Sequence, residues 1–82
     1  MIVLDQIPVV GQGYIALANF ETPLGVIRLA SPKTDSEFAQ ILYLALRSAD
    51  EKKLSTIIVR QPTNSGIAVA IRDRLKRAVN RG

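Results

Sequence analysis

Arg72, Arg74, Lys76, Arg77 and Arg81 put five cations into the ten residues from 72 to 81, opposed only by Asp73. At helical spacing they spread around the face opposite Ile67, Ile71 and Leu75, and such a ridge can track the phosphates of a nucleic acid or engage another anionic partner. The same residues also describe a solvated helix face, with Asp73 and Arg77 at i,i+4 and cations favoured near a helix C-terminus. A second set, Lys33, Thr34, Arg60, Thr63, Asn64, Ser65 and Gly66, falls in two loops that each open a helix. Free backbone N–H groups and the positive end of a helix dipole suit an anion at such a place. The plainer alternative makes Thr34 and one of Thr63, Asn64 or Ser65 ordinary helix caps, with Gly66 relieving the backbone.

Catalytic chemistry has less to work with. The sequence has no His and no Cys, no Ser or Thr has an evident base beside it, and Asp35 and Glu37, two apart at a helix start, diverge. The loop after Arg60 lacks the glycine and lysine pattern of a phosphate-binding P-loop. No catalytic residue, metal-ligand set or cofactor is therefore assigned, and the chain is expected not to be an enzyme. The residual alternative, a part of an enzyme assembly, has only Lys33 and Asp35 near the cleft.

The elements that must position these residues follow from the apolar pattern. At 82 residues the chain fits a single domain, 1–82, and its 48 % of hydrophobic residues include only four aromatics, so the core is aliphatic. Ile7–Val10, Tyr14–Phe20 and Val26–Ala30 read as strands separated by turn formers, the last two joined as a hairpin or short meander through Glu21–Gly25. Thr34, Asp35, Ser36 and Glu37 have capping-box spacing, and Phe38, Ile41, Leu42 and Ala45 then share one helical face. Leu54–Arg60 alternates as a strand, with Ile57 and Val59 on one side and Ile58 on the other. Ile67, Ile71, Leu75 and Ala78 mark a closing helix.

The predicted architecture is a small two-layer α/β sandwich in the order β-β-(β)-α-β-α, with a mixed sheet of three or four strands and both helices on one face. The strands ending near Ala30 and Arg60 are expected to be parallel neighbours, so the loops after them share one edge, where open α/β sheets bind ligands. Two helices on one face leave the other uncovered. Tyr14, Ala16, Ala18 and Phe20 point to that side and are the expected interface of a homo-oligomer, a dimer, in preference to a monomeric sheet that curls on itself.

From Val26 to Asp73, the order strand, Pro32, Thr34, Asp35, helix, strand, Pro62, Ser65, Gly66 and Ala68 resembles one repeat of the Clp protease and crotonase fold. In that fold the loop after the second strand supplies oxyanion-stabilising amides. Asn64, Ser65, Gly66 and Ile67 resemble the serine-glycine helix start of anti-sigma-factor antagonist domains, which bind a protein partner. Neither resemblance amounts to a family assignment.

Charge is uneven along the chain: residues 1–59 carry five cations against six anions, and residues 60–82 six against one. The expected function is a small non-enzymatic interaction module that engages nucleic acid or another anionic partner through its basic helix. The alternative is a protein-binding or regulatory module working through the apolar sheet face, with the basic helix only solubilising. Without Cys, a secretion signal or an apolar run of the roughly 20 residues that span a bilayer, a cytoplasmic location with no membrane contact is expected.

Overall fold

The computed structural model describes residues 1–81; Gly82 and the side chain of Arg81, one of the expected anion-binding cations, lie outside the described residues. The elements are β1 (Ile2–Leu4), β2 (Gly13–Ile15), β3 (Ile27–Ala30), α1 (Asp35–Glu51), β4 (Ile57–Val59) and α2 (Ile67–Arg81). The four strands form one sheet in the order β1-β4-β2-β3. Both helices pack on the same face, where Phe38, Leu42 and Ala45 of α1 and Ile71 and Leu75 of α2 meet Ile15, Ile57 and Val59. This is the two-layer α/β sandwich that the apolar pattern predicts.

The local signals act where they were read. Thr34 caps α1 in extended conformation, its hydroxyl accepting from the Glu37 N–H at 3.1 Å. In β4, Ile57 and Val59 join the helix-side core and Ile58 the opposite face.

Strand direction differs from the reading. β1–β4, β4–β2 and β2–β3 are all parallel, so the sheet contains no hairpin. The expected turn before β3 does form, with Val26 N–H donating to Pro23 C=O and Gly25 at φ 81°. A second turn precedes it, in which Phe20 N–H donates to Leu17 C=O. Two reversals return the chain to its original direction. The strand expected over Tyr14–Phe20 therefore stops at Ile15. Ile7–Val10 is not a strand either: Pro8 has no amide to donate, and Val9 N–H is taken by the Gln12 side chain at 2.9 Å. The first strand is instead Ile2–Leu4. Ala30 and Arg60 end parallel strands, but β2 lies between them, so they are not neighbours.

On the face without helices, Val3, Ile58, Tyr14 and Arg28 stand in register across the four strands. The chain covers this face itself, because Phe20 and Val26 pack on Tyr14, Ala16 and Ile58. Arg28 fastens the strap formed by residues 16–22. Its Nε donates to Ala30 C=O at 2.8 Å, its Nη1 to Phe20 C=O and Thr22 Oγ1 at 2.8 Å each, and its Nη2 to Ala16 and Leu17 C=O at 2.9 and 2.8 Å. The guanidinium carbon lies 5.1 Å from the Tyr14 ring centre. Burial pulls the Arg28 pKa below the ordinary guanidinium value, with Tyr14 acting in the other direction.

Candidate functional site

Because the strands are parallel, the ends of β1, β4, β2 and β3 deliver four loops to one edge. Asp5 follows β1 in a left-handed conformation, φ 55°, which a short polar side chain tolerates better than most. Its Oδ1 accepts from Gln61 N–H at 2.9 Å and its Oδ2 from Gln61 Nε2 at 2.7 Å, pinning the loop after β4 to the end of β1. Farther along, Asn64 Nδ2 donates to Asp35 Oδ2 at 2.9 Å, which ties the starts of α1 and α2 together. Arg72 completes the frame by donating to Pro62 C=O at 2.7 Å and to Asn64 C=O at 2.9 Å.

These contacts sort the expected edge residues. Thr34 is engaged as a helix cap and Asn64 as a cross-brace, while Gly66 takes φ 71°, a left-handed backbone suited to glycine. Lys33, Thr63 and Ser65 stand exposed beside them. Arg60 N–H donates to Ile15 C=O at 2.8 Å, and its guanidinium carbon lies 4.2 Å from the centre of the Phe20 ring. Asp5, Leu17, Phe20, Arg60, Pro62 and Thr63 line a groove of about 360 Å³ at this point. The Phe20 ring gives the Arg60 guanidinium a cation–π partner, and among the described residues no carboxylate pairs with it. The sequence reading found Arg60 but missed Asp5, Gln61 and the ring beneath Arg60.

The basic helix does not present a single ridge. Arg72 turns inward to the loop carbonyls, and Arg77 forms an ion pair with Asp73 at 2.6 Å. Arg74 and Lys76 point to solvent. The four residues expected to form an interface also separate. Tyr14 and Ala16 are buried within the chain, Phe20 is half-buried under Arg60, and Ala18 is exposed. The uncovered apolar face that motivated an oligomer there is covered by residues 16–26.

Among the described residues, no group of His, Cys, Asp and Glu converges to hold a metal ion. No helix of the described residues is long and apolar enough to cross a membrane.

Residues 6–79, about nine-tenths of the chain, match the family model described as threonylcarbamoyl-AMP synthase, C-terminal domain. No curated protein and no solved structure matches the chain. The family match overturns two expectations: the non-enzymatic interaction module, in both of its forms, and the exclusion of an enzyme. The residues that misled were real absences, His and Cys among them, but a domain of an enzyme need not itself carry the reacting groups. The chain belongs to the family of threonylcarbamoyl-AMP synthase C-terminal domains.

Proposed function

We propose that this chain works as the C-terminal domain of an enzyme that forms threonylcarbamoyl-AMP, and that it contributes through the edge where its four parallel strands end. The match over residues 6–79 carries the reading. The geometry supports it in a particular form. Asp5–Gln61, Asn64–Asp35 and the two Arg72 contacts brace the edge at distances of 2.7–2.9 Å, so its loops are held in one arrangement before anything binds. A pre-organised surface loses little conformational freedom on association.

The named product is an adenylate, and its phosphate is anionic. Arg60, stacked over Phe20 and in no ion pair with a carboxylate of the described residues, suits an oxyanion or an acidic side chain of the synthase. Under this reading the domain positions, and the groups that make and break bonds lie outside residues 1–81.

The test is the formation of threonylcarbamoyl-AMP, read by mass spectrometry, by a synthase carrying this domain. Arg60→Glu is expected to lower the rate about tenfold by reversing the charge at the groove. An unchanged rate both in that variant and in an enzyme from which the domain has been removed would overturn the proposal.

A further inference from the structure

A second surface lies in the helical layer, away from the strand-end edge, and does not depend on the synthase reading. Along the outer seam between α1 and α2, Ala39, Ala70 and Ala78 leave room between the helices. Two adjoining cavities of about 310 and 290 Å³ open there, floored by Leu42, Leu46 and Leu75. Tyr43 and Ile67 border the seam and are 66 % and 50 % exposed, so apolar side chains stand uncovered at its rim. Arg74 borders both cavities. The one carboxylate at the seam, Asp73, is taken by Arg77 at 2.6 Å, so the uncompensated charge on the rim is positive.

We propose that this seam receives an amphipathic helix of a partner protein, its apolar stripe laid between α1 and α2 and its acidic flank against Arg74. An apolar slot between two helices with a charged rim is the arrangement by which helices dock in grooves. Charge complementarity selects the occupant. A second copy of this chain would set the same arginines against each other, and a nucleic-acid duplex would satisfy Arg74 while leaving Tyr43 and Ile67 against a polar backbone.

The probe is a fluorescein-labelled 18-residue helical peptide with leucines at i, i+4, i+7 and i+11 flanked by glutamates, titrated into the 82-residue chain and followed by anisotropy. Its counterpart carries lysine for glutamate. The acidic peptide is expected to bind at least about tenfold more tightly than the lysine peptide, and Arg74→Glu to weaken it about tenfold. Amide chemical-shift changes should be confined to α1 and α2. Ala70→Lys separates shape from charge, since it fills the slot while adding a cation at an exposed position. It is expected to weaken the acidic peptide about tenfold. Equal or tighter binding by Ala70→Lys would reduce the effect to general attraction by a basic helix and overturn the proposal. Failure of the acidic peptide to bind, or its displacement from the seam by a DNA or RNA duplex, would overturn it as well.

Discussion

Arg28 places every donor of its guanidinium on a defined acceptor: the backbone carbonyls of Ala16, Leu17 and Phe20 and the Thr22 hydroxyl in the strap, and the Ala30 carbonyl at the end of β3. A planar fork with five N–H groups can do this; an ammonium with three donors at a single point cannot reach the same set. Arg28→Lys is therefore expected to lower stability by about 1–3 kcal/mol, measured as a shift of the urea midpoint. A loss below about 0.5 kcal/mol would show the strap to be held by Phe20 and Val26 packing alone. Nothing in the sequence singled this residue out. An arginine between Ile27 and Leu29 has the appearance of the solvent-facing position of an alternating strand. Its role arises only because the strap crosses the face where it points, and that is a contact between residues 6 to 12 positions apart.

The two helices differ in how their starts are secured, and so in how readable they were. Thr34 and Glu37 lie three residues apart, and the cap they form is local, so the spacing sufficed to place α1. The start of α2 is held from within its own second turn: Arg72 reaches back to Pro62 and Asn64. In the sequence Arg72 was one cation among five, and helical periodicity alone could not separate a clasp from a solvated ridge. The structure makes the two separable by experiment. Arg72→Met should cost about 1–3 kcal/mol, because two loop carbonyls lose a charged donor. Arg74→Met, which removes no such contact, should stay within about 0.5 kcal/mol. Equal losses in thermal or urea unfolding would contradict the clasp. The short strands show the opposite limit. β1, β2 and β4 have three residues each, too few for a period, and their partners are up to 55 residues away in sequence. The type of face could be read from Ile57, Ile58 and Val59; the direction of pairing could not.

At the scale of the whole molecule, one design decision governs the rest: two of the three layers a parallel sheet normally needs are present as secondary structure, and the third is irregular chain. Parallel sheets are stable when both faces are covered. Here α1 and α2 cover one face, and residues 16–26 supply the other cover with only two partly buried side chains, Phe20 and Val26, packed on Tyr14, Ala16 and Ile58. The apolar second face is legible in the sequence, but with both helices on one side its cover is expected from another copy in preference to a curled monomeric sheet, because the turns that fold residues 16–26 back over it leave no periodic signal. The same strap also carries the ring on which Arg60 rests, so the cover of the sheet and the shape of the strand-end groove are one structure. Replacing residues Ala18–Gly25 by a glycine-serine linker of equal length separates these roles from the rest of the fold. The helix-side core keeps all its buried residues in that variant, so helical circular dichroism should persist. Tyr14, Ala16 and Ile58 lose their cover, so binding of a hydrophobic dye should rise several-fold and sedimentation should show association relative to the intact chain. If dye binding and mass both stayed at the intact chain's values, the strap would not be the cover of the second face. The groove at Arg60 would then have to draw its shape from the loops after β1 and β4 alone.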